Sequence, residues 1–210
     1  MPTVLHTPDE QTMEQVVAHR RASGLDRFDE VWNGEYVLMP DPSFAHQRLV
    51  GQLVAIFLLF LDETRGEFAV PGGNLALSDK NWTDNYRCPD VTVLKGLDRP
   101  IDELVYRTDG CALAVEIVSP GDRTRQKRDF YAAAGVEEYL VIERTPYRVE
   151  RFLLHDNELQ RSDVLAASGD SFELAALPLR WSLAPSAKVD GTLALTLASL
   201  DPAAEKTWSL

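Results

Sequence analysis

Glu116 falls inside the run Ala112 to Val118, which is otherwise wholly apolar and reads as a buried strand. A carboxylate there needs a partner, because burying an uncompensated charge is strongly unfavourable. Asp90 stands at the start of a second apolar strand, Pro89 to Leu94. If the two strands are neighbours, two carboxylates meet at one place. A few oxygen ligands, with other positions left to water, are how Mg²⁺ is usually held, and the open positions can take a phosphate. The backbone carbonyl of Ile117 is a candidate further ligand. Alternation puts Leu113, Val115 and Ile117 on one bulky face and Ala112, Ala114, Glu116 and Val118 on the other, where small residues leave room. A purely structural reading stands beside this one, with Glu116 paired to an arginine such as Arg87 or Arg123 and Asp90 serving as a turn residue after proline.

Behind Glu116 come Arg123, Arg125, Lys127 and Arg128, four cations within six residues of a chain whose net charge is −12. An isolated run of this kind is usually a solvated helix face. The acidic balance argues against a protein that coats nucleic acid non-specifically, since such binding rests on neutralising phosphates, yet it leaves room for a local basic site.

The elements that must position these groups can be read from caps and periodicity. Residues Pro8 to Arg21 run from Asp-Glu to Arg-Arg, the charge order of a helix, with Ser23-Gly24 as its stop. Asn33-Gly34 between FDEVW and EYVLM predicts a β-hairpin over about residues 28 to 39. Ser43 caps an apolar helix from about Phe44 to Glu63. Strands are expected at Glu67–Leu77, Pro89–Leu94 and Ala112–Ser119, with the polar loop SDKNWTDNYRC between the first two. A helix follows from about Arg123 to Ala134, ended by Gly135, and then a strand from Tyr139 to Ile142. Beyond Pro146 short alternating strands suggest an added meander at Tyr147–Leu154, Phe172–Leu174 and around Leu193–Leu197, before the tail DPAAEKTWSL.

At 210 residues, with 45% hydrophobic and 26% charged, the chain suits one globular domain. The longest apolar stretch, Leu53 to Leu61, is far short of the roughly 20 residues a membrane span needs, so no membrane association is expected. Cys88 and Cys111 form no disulfide or zinc spacing, and MPTVLHTPDEQTMEQ has no basic-then-apolar leader pattern. A cytoplasmic setting is the expectation.

The segments NGEYVLMPDPSFAHQRL, RCPDVTVLKG and LAVEIVSPGDRTRQKRDFYAAAGVEEYLVIE, in that order, resemble the Uma-two family of restriction-endonuclease-like proteins, within the PD-(D/E)XK nuclease superfamily. The resemblance implies an α+β (α/β) restriction-endonuclease-like core, a mixed central sheet flanked by helices, with the N-terminal helix and hairpin and additional C-terminal strands. It further implies a single domain over residues 1–210, its core at about 28–154 and its strand extension at about 155–200. It implies that Asp90 and Glu116 bind Mg²⁺ (or Mn²⁺) and that DNA is the substrate. The superfamily's strand lysine is replaced here by Val118; the family's helix lysine falls on Lys127, with Arg125 and Arg128 the neighbours in register. Reach permits it, since the strand climbs roughly 10 Å from Glu116 to Ser119 and a returning helix recovers about 5 Å by Lys127. Glu35 matches the family's Gly-Glu and would complete the carboxylate set. His46 matches its helix histidine, a candidate for metal or phosphate contact, as Arg123, Arg125 and Arg128 are for phosphate.

The function expected is a metal-dependent endonuclease hydrolysing DNA phosphodiester bonds. The alternative is a catalytically idle nuclease-fold module that binds nucleic acid or a protein partner, and a hydrolase for a small phosphate ester is more distant. The extra strands, able to pair at a sheet edge, suggest a homodimer.

Overall fold

The Glu116 strand forms from Cys111 to Ile117 and is buried along its whole length. In a computed structural model, which describes residues 3–4, 10–77, 82–96, 105–107, 111–119, 121, 123–187 and 189–210, this strand lies within a six-stranded central sheet. The strand order is Glu158–Leu165, Tyr147–His155, Glu138–Arg144, Cys111–Ile117, Val91–Leu94 and Phe68–Pro71. Only Cys111–Ile117 and Glu138–Arg144 run parallel; the other pairings are antiparallel, so the sheet is mixed. A parallel pair needs a crossover on one face of the sheet. It contains a 3₁₀ turn, Thr124–Lys127, and the short α-helix Arg128–Ala133.

Alternation sorts the central strand as its sequence predicts. Leu113, Val115 and Ile117 face a core shared with helix Phe44–Phe57 and with Trp181, Leu183, Leu195 and Leu197 of a C-terminal sheet. Ala114 and Glu116 face the crossover, beside Tyr131, Tyr139, Val141 and Phe152. Ala112 departs from that pattern and joins the first core, because the register shifts between Val93 and Leu94, opposite this end of the strand.

Ser43 caps helix Phe44–Phe57 by accepting from the His46 N–H. The helix ends six residues before the expected Glu63, passing into a 3₁₀ turn at Leu58–Phe60. The segment read as one strand over 67–77 is two: Phe68–Pro71 in the central sheet and Asn74–Ala76 in a second sheet. Gly72 permits the break, with φ of 63° and a position where a Cβ would lie 3.0 Å from the Phe28 ring.

That second sheet carries the N-terminal hairpin, Glu30–Trp32 and Glu35–Leu38, whose Asn33 and Gly34 both have positive φ. Its other members are Thr3–Val4, Tyr86–Arg87, Asn74–Ala76 and Val105–Arg107. The N-terminal helix spans Glu10–Ser23; Pro8, its expected start, lies outside the described residues, as do Ser78 to Asn81 of the polar loop. The C-terminal strands form a third sheet, Ser171–Glu173, Leu179–Pro185, Leu193–Ser199 and Thr207–Ser209, so the tail is a paired strand. Among the described residues no helix is long and apolar enough to cross a membrane.

Candidate active site

Asp90 is held where the ladder between two central strands gives out. Val91 pairs with Val115, and the same register carried two residues on sets Pro89 opposite Ile117. Proline has no N–H to give, so Ile117 C=O is denied its ladder partner from that strand. The Ile117 N–H instead donates to Asp90 Oδ2 at 2.7 Å. Since N–H and C=O of one strand residue point to the same side, the Ile117 carbonyl also faces the Asp90 strand.

Glu116, one residue earlier, is 4% exposed. Its Oε1 accepts from Lys127 Nζ at 2.9 Å and from Tyr131 OH at 2.5 Å. Lys127 Nζ also lies 2.7 Å from Oε1 of Glu30, on the N-terminal hairpin. Burial pushes the Glu116 carboxyl up, Lys127 pulls it down, Asp90 and Glu30 raise it again, and it settles at about 8. Burial alone would lower the Lys127 ammonium, but Glu116 and Glu30 more than reverse this and hold it above its ordinary value. Tyr131 is raised well above its ordinary value, by burial first and then by the two glutamates, so it stays a hydrogen-bond donor.

Glu30 is the residue sequence reasoning missed. Its Oε1 also accepts from the Cys88 N–H at 2.8 Å and its Oε2 from Trp32 Nε1 at 2.7 Å. The preceding Asp29 faces the other way, accepting from Arg20 at 2.6 and 2.7 Å, from Tyr36 OH at 2.9 Å and from the Met39 N–H at 2.7 Å. That clamp ties the N-terminal helix to the hairpin and sets where Glu30 stands. Glu35, taken from the resemblance as the third carboxylate, lies across the hairpin opposite Trp32; its side chain is 38% exposed and its Oε2 is 3.7 Å from Arg123 Nη1. The signal for Glu30 is the one that flagged Glu116, acidic residues inside an apolar strand, here FDEVW.

The 3₁₀ turn explains how the basic run divides. Residues three apart eclipse in such a turn. Thr124 and Lys127 are buried toward Glu116. Arg123 Nε reaches Gln126 Oε1 at 2.9 Å, and its guanidinium stacks 4.2 Å from the Trp32 ring centroid. Arg125 and Arg128 fall on a third side, where Arg125 meets Glu143 and Glu150. Neither arginine proposed as a partner of Glu116 hydrogen-bonds to it. Arg87, its other candidate, is buried between the rings of Trp32 and Phe130 and donates to the Val31 carbonyl.

A cavity of about 350 Å³ gathers Glu30, His46, Asp90, Glu116, Ile117 and Lys127, with Arg123 and Arg144 also in its lining and Phe28, Val37 and Met39 as apolar wall. Glu35, Arg125 and Arg128 are not among its lining residues. His46 Nε2 lies 3.2 Å from Asp90 Oδ2, while His46 Nδ1, Arg123 Nη1 and Arg144 Nε are buried without hydrogen-bond partners among the described residues. Glu116 Oε2 and Asp90 Oδ1 accept no hydrogen bond from the described residues. No three His, Cys, Asp or Glu side chains among those residues form a metal-holding group by themselves.

A mixed sheet with carboxylates on neighbouring strands, and a lysine returned to them by the following crossover, defines a restriction-endonuclease-like fold. Residues 20–186 match the model of the Uma2 family, described as "Putative restriction endonuclease", and the chain belongs to that family. Among solved structures it is similar to a protein from Anabaena variabilis described as "a putative nuclease belonging to DUF820". The TM-score is 0.56 at 15% identity, over 70% of this chain and 82% of that one, a likeness of fold. No curated protein matches the chain.

Proposed function

We propose that this chain is a metal-dependent endonuclease that hydrolyses phosphodiester bonds in DNA, with Mg²⁺ or Mn²⁺ as cofactor. The observation that carries the reading is a pair of carboxylate oxygens, Asp90 Oδ1 and Glu116 Oε2, that accept no hydrogen bond from the described residues, on two residues that line one cavity with the Lys127 ammonium. This donor set fits a hard cation that keeps part of its water. Asp90, Glu116 and the Ile117 carbonyl would hold it. Once bound, it would polarise the scissile phosphate and acidify a water molecule.

The chain's own groups have separate tasks. The Ile117 N–H fixes one Asp90 oxygen and frees the other. Tyr131 and Lys127 do the same for Glu116. Of the three N–H donors on Lys127, two are aimed at Glu30 and Glu116, leaving one for an oxygen on phosphorus as negative charge develops there. His46, Arg123 and Arg144, whose Nδ1, Nη1 and Nε have no hydrogen-bond partner among the described residues, line the same cavity, where phosphate oxygens can satisfy them. As a homodimer, two copies would offer a cavity to each strand of a duplex; light scattering reads that assembly.

The test is incubation with supercoiled plasmid and Mg²⁺ or Mn²⁺, beside Asp90→Asn and Glu116→Gln. Cleavage by the parent chain and its loss in both variants is expected; cleavage that survives Glu116→Gln sinks the assignment. A second reading, a nuclease-fold module that binds without cutting, is favoured by Val118 at the superfamily's lysine position and by the two carboxylates that already engage Lys127. Calorimetric Mn²⁺ binding with no cleavage of plasmid, single strand or RNA would select it.

A further inference from the structure

On the far side of the 3₁₀ turn, a second cavity of about 360 Å³ is lined by Arg125, Arg128 and Arg161, with Glu150, Tyr139, Val141 and Phe152 as its other residues. Glu150 is 6% exposed and accepts on both oxygens: Arg125 at 2.9 and 3.2 Å on Oε2, Arg148 and Arg161 at 3.2 Å on Oε1. One carboxylate thus fixes the positions of three guanidiniums without neutralising them. Arg128 joins them with no carboxylate nearer than Asp129, 3.8 Å away. The side chains of Arg125, Arg128 and Arg161 remain 53%, 50% and 56% exposed, so each stays accessible to solvent.

The charge balance of the two cavities differs in sign. The candidate active site is lined by four carboxylates, Glu30, Asp41, Asp90 and Glu116, against three cations, Arg123, Lys127 and Arg144. The lining of the second cavity sets three guanidiniums against one carboxylate, with Glu143 outside it as a second partner of Arg125. In a chain of net charge −12, attraction for a polyanion must come from such a local surplus. Arg128 and Arg161 also line a further cavity that continues along helix Arg128–Ala133 to Asn157, where Asp129 and Glu158 end the positive stretch. Guanidiniums shared between two cavities, Arg128 and Arg161, with Arg125 beside them, suit one or two linked phosphates better than an isolated anion.

We infer that Arg125 and Arg161, held in place by Glu150, and Arg128 beside them form a phosphate-binding subsite for the nucleic-acid strand that leads to or from the active site. The inference rests on the nuclease reading for its ligand and is tested by binding alone. The full chain carrying Glu116→Gln, which is not expected to cut, is titrated against a fluorescein-labelled DNA duplex over a range of NaCl. Arg128→Gln with Arg161→Gln is added in the same background, and its thermal melt checks folding. Arg125, which anchors Glu150 to the turn, is left intact.

The double variant is expected to bind about tenfold more weakly at low salt and to lower the slope of log K against log[NaCl] by about 1 to 2. An unchanged affinity and slope in a folded double variant overturns the subsite and leaves the plasmid test of the active site untouched. Inorganic phosphate that binds the parent background but not the double variant, while duplex affinity and salt slope are the same in both, would assign the arginines to free phosphate and also overturn it. Loss of plasmid cleavage in Asp90→Asn, by contrast, concerns the active site alone.

Discussion

At Glu116 a single carboxyl group carries two opposed demands. The proposed function needs it ionised to hold a cation, yet burial raises it from 4.5 to about 8. A folded-state value above the unfolded one means that the folded chain binds the extra proton. This group's contribution to stability is therefore full below pH 4.5 and is lost as pH rises through about 8. Glu116→Gln should abolish the loss, leaving the variant more stable than the parent at pH 9 by about 5 kcal/mol relative to their difference at pH 4, read from urea melts. Tyr131 is a positioning residue for the same group, since its hydrogen bond lowers the Glu116 value. Tyr131→Phe should cost about 1.5–3 kcal/mol of stability. It should also move the acid limb of the pH–rate profile upward, a shift that lost packing alone would not produce.

Two short elements turn residues into a site: the 3₁₀ turn Thr124–Lys127 and the ladder end at Pro89. The turn delivers an ammonium between Glu30 and Glu116, and without it two buried carboxylates would share a site. Lys127→Met should therefore destabilise by about 3–5 kcal/mol. At the ladder end, Pro89→Ala restores an N–H opposite the Ile117 carbonyl. The new hydrogen bond and the freer unfolded chain oppose each other, so stability should stay within about 1 kcal/mol while calorimetric Mn²⁺ affinity falls several-fold. These elements also mark what could be read in advance. Asp90 and Glu116 were legible because carboxylates in apolar strands are anomalous, and the 3.6 and 2.0 periods placed the helix and strands around them. Glu30 carries the same anomaly but sits in a three-residue strand, where burial is decided by Lys127, far along the chain. Whether TRQK winds as 3₁₀ or α is likewise set by what its side chains meet, so the parting of Arg123 from Arg125 was not legible.

At the scale of the molecule, the C-terminal strands are tied to the central sheet by one buried carboxylate. Glu138, on the strand beside Glu116's, is fully buried; its Oε2 accepts from the N–H groups of Ala175 and Ala176 at 3.0 Å each, and its Oε1 accepts from Arg151 at 2.5 Å. Burial raises the Glu138 carboxyl, and those backbone and arginine hydrogen bonds work against the rise. Around this tie, Trp181 packs against Phe57 of the helix and Phe172 of the third sheet, so one core spans both sheets. Alternating strands in a sequence do not say which sheet they will join, which is why this layer read only as an added meander. It braces the site's scaffold, and none of its described residues lines the candidate active site. Glu138→Ala leaves two buried N–H groups and Arg151 without their acceptor, a change expected to cost about 3–5 kcal/mol. Chemical denaturation should show the parent chain unfolding in one transition and Glu138→Ala losing the third sheet at lower urea. Plasmid cleavage per folded molecule, measured below that transition, should change less than about twofold, because no contact of Asp90, Glu116 or Lys127 passes through Glu138. A loss of cleavage as deep as that of Glu116→Gln, in folded protein, would instead make the C-terminal sheet part of the active machinery.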